Sequence, residues 1–98
     1  MAAVEIRVFF RGLPSEAEEG AEELAVTLPA GTMVAGLLEK LAAESKGRAL
    51  LVLDRERRTL RPEFLLTLNG RFLEKGRFDS AVLGEGDSVE VFPIPSGG

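Results

Sequence analysis

A single helical stripe lies between stretches that alternate apolar and polar residues, and this combination leaves the chain few ways to fold. Val34, Leu37, Leu38 and Leu41 fall at i, i+3, i+4 and i+7, the spacing of one helix face. Before them, Val4, Ile6, Val8 and Phe10 alternate with Glu5, Arg7 and Phe9, and Leu24, Val26 and Leu28 repeat the period of two. A lone amphipathic helix has no second helix to cover its stripe, so it must be buried on a sheet. Such a chain is a two-layer α+β domain. At 98 residues there is room for one core.

Turn chemistry sets the order of the remaining elements. Residues 12–23 are rich in glutamate and read as a solvated loop joining the first two strands as an antiparallel pair. Pro29-Ala30-Gly31 turns the chain, Thr32 stands where it would cap the helix, and Gly47 suits a left-handed stop. The helix is therefore expected over 32–45. The apolar run 49–53 reads as a third strand, closed by a charged turn at 54–58. Phe64, Leu66 and Leu68 lead into Asn69-Gly70, a dipeptide in which both residues tolerate positive φ, so a tight hairpin is expected there. A helical turn at 78–83, a turn at 84–87 and a last strand at 89–92 complete the order β-β-α-β-β-turn-β. With a right-handed crossover, the strand after the helix is expected to lie parallel to its neighbour. The division is a domain over 1–92 and a flexible tail over 93–98.

Composition removes whole classes of chemistry. There is no cysteine and no histidine, hence no disulfide, no thiolate, and neither the usual general base nor the usual metal ligand. A net charge of −4 gives no footprint for nucleic acid. Arg55, Arg57, Arg58 and Arg61 dissent, but Asp54 and Glu56 interleave with them, as on a solvated hairpin tip. No apolar run approaches the roughly 20 residues of a membrane span, and no basic-then-apolar leader opens the chain. A cytoplasmic protein with no membrane contact and no cofactor of its own is expected. Gly84 and Gly86 lack the third glycine and following helix of a nucleotide-binding loop.

What remains for chemistry is Pro93-Ile94-Pro95-Ser96-Gly97-Gly98. Prolines keep the segment extended, so six residues reach roughly 20 Å at about 3.3 Å each. Gly97 and Gly98 have no Cβ and can thread a narrow channel. The alternative is an ordinary loose terminus. A terminal carboxylate ionises near about pH 3.5 and is a poor electrophile at neutrality, so another protein must activate it.

The block 32–41, the run Leu68-Asn69-Gly70-Arg71, and the uninterrupted stretch 84–98 together resemble the MoaD/ThiS ubiquitin-like sulfur carriers, most closely the small subunit of molybdopterin synthase. The additional segment 53–62 is similar to that of the longer MoaD-like proteins, whereas Ile94 departs from the proline common in relatives. The resemblance implies a β-grasp fold. It further implies that a ubiquitin-activating-like enzyme, using ATP and magnesium, adenylates Gly98, and that a sulfur donor then leaves a glycyl thiocarboxylate there. Pro95, Ser96 and Gly97 would thread the tail. The acceptor would be the large subunit of molybdopterin synthase, or an enzyme of tRNA thiolation or thiamine synthesis; a ubiquitin-like protein modifier is a second class, and a plain interaction module with no chemistry at its end, against which the Gly-Gly stands, is a third. For partner binding the candidates are Phe9, outward by alternation, Phe92, just before the tail, and Phe72, at the position of a contact residue in MoaD-like proteins. The alternative for each is a place in the core.

Overall fold

The computed structural model describes residues 2–11, 23–44, 49–54 and 56–94. β1 (Ala3–Phe10) and β2 (Glu23–Pro29) pair antiparallel, with Ile6 opposite Val26. The chain turns at Pro29-Ala30-Gly31 and enters α1 (Val34–Glu44). A single turn, α2 (Ala49–Val52), leads to the small hairpin of β3 (Leu53–Asp54) and β4 (Thr59–Leu60). β5 (Phe64–Leu68) and β6 (Arg71–Phe72) form the next hairpin, a 3-10 turn follows at Lys75–Arg77, and β7 (Ser88–Pro93) comes last. The main sheet has the order β2-β1-β7-β5-β6. This is the ubiquitin-like β-grasp arrangement, with α1 lying across one face.

The period of two decides which residues meet the helix. Ile6, Val8 and Phe10 of β1, Val26 and Leu28 of β2, Leu66 of β5, and Val89 and Val91 of β7 are all buried, as is the α1 stripe Val34, Leu37, Leu38 and Leu41. Phe78 and Leu83 close the core from the segment after β6. At the β5–β6 turn Asn69 has φ +53° and Gly70 φ +85°, the left-handed pair that a two-residue hairpin needs.

Four expectations are corrected. First, the run 49–53 is not a strand: Asp54 starts a tight turn, its Oδ1 accepting the amides of Glu56 and Arg57 at 3.0 and 3.2 Å. Only Leu53 and Asp54 are left to pair with β4, and the preceding residues coil into one helical turn that buries Val52 beside Leu53. Second, the strand after the helix does not lie parallel to a neighbour. The parallel pair is β1 with β7, the first and last strands, in the register Phe9 to Glu90. Third, Thr32 does not cap α1, because its hydroxyl donates to the Pro29 carbonyl at 2.6 Å and closes the turn instead. The first helical amides are met from a distant part of the chain: Val34 N–H donates to Ala81 O at 2.9 Å and Ala35 N–H to Phe78 O at 2.8 Å. These carbonyls do the work of a side-chain cap. Fourth, the last strand passes 92 and includes Pro93. The expected loop over 12–22, the helix stop at Gly47 and the side chain of Arg55 lie outside the described residues.

Candidate functional site

β7 runs between β1 and β5 and carries the chain toward its last residues from the middle of the sheet. The Ile94 amide donates to the Glu63 carbonyl at 2.8 Å, so the chain is still tied to the sheet one residue beyond the strand. Pro95, Ser96, Gly97 and Gly98, expected to thread and to carry the reacting carboxylate, lie outside the described residues.

The face turned away from α1 is built by the residues that alternate with the core. Phe9 stands opposite Glu90, Glu90 opposite Thr67, and Thr67 opposite Phe72. This makes one row across β1, β7, β5 and β6, about 14 Å long at the usual strand spacing. A second row, Leu65 opposite Phe92, lies beside it toward the end of β7. All three phenylalanines proposed for partner binding thus sit on one face, and none belongs to the core, which takes Phe10 and Phe78. Phe72 is 60% exposed, while Phe9 and Phe92 are half-buried.

Periodicity did not single out the groups that join these rings. Glu90 sits among them with Oε2 accepting from Arg11 Nε at 2.7 Å and Oε1 accepting from the Thr67 hydroxyl at 3.4 Å. The Arg11 guanidinium also lies 5.0 Å from the centre of the Phe9 ring, within cation–π range. The apolar face therefore has a polar centre. Leu65 and Ile94 extend it; alternation within β5 gives Leu65 away, since Leu66 is the buried neighbour, whereas the Glu90 partners depend on cross-strand register.

Past the short β6 the face drops into a groove of about 430 Å³, lined among others by Phe64, Leu65, Phe72, Leu73, Lys75 and Ile94. At the opposite end of β7 the two short sequence blocks singled out above meet. Asn69 Nδ2 donates to Asp87 Oδ1 and the Ser88 amide donates to Asn69 Oδ1, both at 2.9 Å, while Asp87 Oδ2 accepts the Gly84 amide at 2.7 Å. The hairpin and the turn before β7 are thereby locked together. Among the described residues no cluster of ligating side chains could hold a metal, and no helix is long and apolar enough to cross a membrane.

The family model of the ThiS family matches residues 11–98, through the last two glycines. The chain belongs to the ThiS family. Its resemblance to the MoaD/ThiS ubiquitin-like sulfur carriers is thereby established, and members of the family work with adenylating, ubiquitin-activating-like enzymes and sulfur-acceptor partners. Similar solved structures agree on the fold. SAMP1 from Haloferax volcanii is 19% identical with a TM-score of 0.70, covering 96% of this chain and 99% of that one. Urm1 from Trypanosoma brucei is 29% identical with a TM-score of 0.64, covering 100% and 99%. A Pyrococcus furiosus protein described as molybdopterin converting factor subunit 1 is 22% identical with a TM-score of 0.62, covering 92% and 97%. No curated protein matches the chain significantly. As a ThiS-family β-grasp chain, the protein combines a sheet face rich in aromatics with a last strand that leads to Gly97-Gly98.

Proposed function

We propose that this ThiS-family chain is a sulfur carrier whose Gly98 carboxylate is adenylated by a ubiquitin-activating-like enzyme using ATP and magnesium. A sulfur donor then displaces AMP, and the new carbon–sulfur bond leaves a glycyl thiocarboxylate. The observation that carries this reading is the family match, which runs through Gly97 and Gly98. Composition supports it, because a chain without cysteine or histidine has no side chain on which to carry sulfur or to act as an ordinary base. The catalytic groups belong to the partner. This chain's own contributions are the outward face of Phe9, Phe72 and Phe92, the strand that aims the tail, and the Cβ-free last two residues.

The sulfur is proposed to go to molybdopterin synthesis in the cytoplasm, through the large subunit of molybdopterin synthase. The likeness to the Pyrococcus furiosus protein supports this choice, as does the presence of the segment 53–62, within which β3 and β4 pair. Intact-mass measurement tests the carrier reading. With ATP, magnesium, the adenylating enzyme and a sulfur donor, the chain should gain about 16 Da as oxygen is replaced by sulfur, and a chain lacking Gly98 should not. Isopeptide adducts without a thiocarboxylate would make the protein a modifier instead. Sulfur delivered to a thiazole synthase or a tRNA thiolase, but not to the large molybdopterin subunit, would move it to those pathways.

A further inference from the structure

The chain from 87 to 94 is held on two sides, and its residues alternate between them. Asp87 and Val91 face β1, their carbonyls accepting the Arg7 and Arg11 amides at 3.1 and 2.9 Å. Ser88 and Ile94 face β5: the Ser88 carbonyl accepts the Asn69 amide at 2.8 Å, and the Ile94 amide donates to the Glu63 carbonyl at 2.8 Å. Odd-numbered residues therefore bond toward β1 and even-numbered ones toward β5, as the two ladders of a central strand require. Pro93 falls at an odd position, where its ring removes the donor that would have faced β1 beyond Phe10. Ile94 falls at an even position and keeps its donor. The chain thus leaves β1 first and is held past that point by β5 alone.

The hold on β5 ends at Ile94 for a reason that lies in the facing chain. Phe64 stands opposite Pro93 and Glu63 takes the Ile94 amide, so the next carbonyl in register is that of Arg61. It is already occupied, by the Phe64 amide at 3.1 Å and by Lys75 Nζ at 3.3 Å, and a carbonyl has only two lone pairs. One hydrogen bond at Ile94 is therefore the root of the tail. We propose that Ile94 is a positioning residue whose amide fixes the reach of Gly98 at four residues, 95–98, and so sets the depth of channel that the adenylating partner must present. Four residues span roughly 13 Å at about 3.3 Å each, against roughly 20 Å for the six from Pro93 onward. The inference rests on the reading of Gly98 as the adenylated residue, and it adds a length that the partner has to match. Two magnitudes decide how the root acts. Lengthening a free segment from four to six residues dilutes its end only about twofold, by the −3/2 power of length. Placement matters more, since an end displaced by about 1 Å can lose about a hundredfold in rate. The root is therefore a stop, and its strength is that of a single hydrogen bond, about two- to tenfold.

The test is a cycle of variants, read by the rate of pyrophosphate release when the adenylating enzyme acts on the full chain with ATP and magnesium. Ile94→Pro removes the donor and should lower kcat/KM about twofold. Deleting Ser96 leaves Gly97-Gly98 in place but draws the carboxylate back by about 3.3 Å, and should lower kcat about a hundredfold with little change in KM. In that shortened chain the same Ile94→Pro should raise kcat about fivefold, because the tail can then swing off β5 toward the active site. The sign of its effect reverses. Ile94→Ala keeps the amide and should give no such recovery. Amide exchange on the wild-type chain is a check that needs no enzyme: the Ile94 amide should exchange at least about tenfold more slowly than in an unfolded peptide, as a hydrogen-bonded donor does. Thermal unfolding shows whether each variant keeps its fold, and the exchange result decides alone if Ile94→Pro does not. A fall in rate when Ile94→Pro is placed in the shortened chain, recovery by Ile94→Ala, or an unprotected Ile94 amide would overturn the proposal. A wild-type chain that is not adenylated sinks the carrier reading; one adenylated normally, with no recovery in the shortened chain, sinks the stop at Ile94 alone.

Discussion

Phe9 and Phe10 are neighbours in one strand and belong to different problems. Phe10 is 1% exposed, under α1, while Phe9 lies on the opposite face beneath the Arg11 guanidinium. Leu66 and Leu65 divide in the same way, and so do Val91 and Phe92. Three adjacent strands thus place one apolar side chain in the core and the next one outside it. The outer set is not spread evenly, for β2 offers Glu23, Ala25, Thr27 and Pro29 on that face, whereas β1, β7, β5 and β6 offer aromatics and leucine. The inner face is apolar because folding requires it. The outer face is apolar only from β1 across β7 and β5 to β6, which points to recognition instead of stability, since an exposed apolar patch rimmed by polar groups usually marks a contact surface.

The strongest challenge to this division is to truncate each member of a neighbouring pair. Phe10→Ala should cost about 3–5 kcal/mol in urea denaturation, the range for emptying a core aromatic site. Phe9→Ala should cost less than about 1 kcal/mol, as expected of a position outside the core. Comparable losses for the two would mean that the outer ring is structural. Next in size is an effect on binding. Phe72→Asp and Phe92→Asp should each weaken association with the adenylating enzyme by about 2 kcal/mol or more, the scale of an aromatic anchor. Thermal unfolding would check that the fold survives, and a matching loss of stability at Phe92 would return that residue to the core.

The two faces also differ in how much of them could be read before the fold was known. Alternation and the helical stripe are local signals, so the inward positions of β1, β2 and α1 follow from them, as does the outward Phe9, whereas Phe72 was singled out by the family resemblance and Phe92 by its place just before the tail. The run 49–53 was ambiguous because five apolar residues fit a strand or a buried helical turn equally well. What decides is Asp54, whose turn leaves too few residues for a strand. The cap of α1 was invisible for a different reason: Ala81 and Phe78 supply it from far along the chain. The parallel pairing of β1 with β7 is equally non-local. Glu90 and Arg11 were missed as members of the outer face because their neighbours are set by register between strands distant in sequence, whereas Leu65 was within reach of the alternation with the buried Leu66.

A smaller effect concerns how Phe72 is presented. β6 is two residues long and is held by the turn at Asn69-Gly70. Gly70 has φ +85° with nothing within 4 Å of a built Cβ, so Gly70→Ala would meet strain and no clash. A loss of about 1–2 kcal/mol is expected from the left-handed backbone. Hydrogen exchange should show the opening confined to β6 and the end of β5, with α1 and β1 protected as before. Global loss of protection would mean that this hairpin belongs to the folding unit of the inner face.

The smallest effect separates the two faces most finely. Glu90 lies among three phenylalanines, yet its carboxylate is held by Arg11 at 2.7 Å and by the Thr67 hydroxyl at 3.4 Å. Both charged side chains keep contact with solvent, at 54% exposure for Arg11 and 29% for Glu90, so water competes with the pair and salt screens it. A double-mutant cycle with Arg11→Gln and Glu90→Gln should give a coupling of about 0.2–1 kcal/mol, as measured for exposed pairs. The coupling should shrink further at high salt, because exposed charges are screened. An interaction this small does little to hold the fold, although it occupies the centre of the face. Its effect on association should be larger than its effect on stability, because a partner that covers the aromatic row must also cover or replace the Arg11–Glu90 pair, and a buried charge stripped of its partner is costly. Binding of the adenylating enzyme by the single variants, set beside their unfolding curves, provides the check. A coupling above about 2 kcal/mol in unfolding would be outside the range for exposed pairs, and would show that the outer face, too, is built to hold the molecule together.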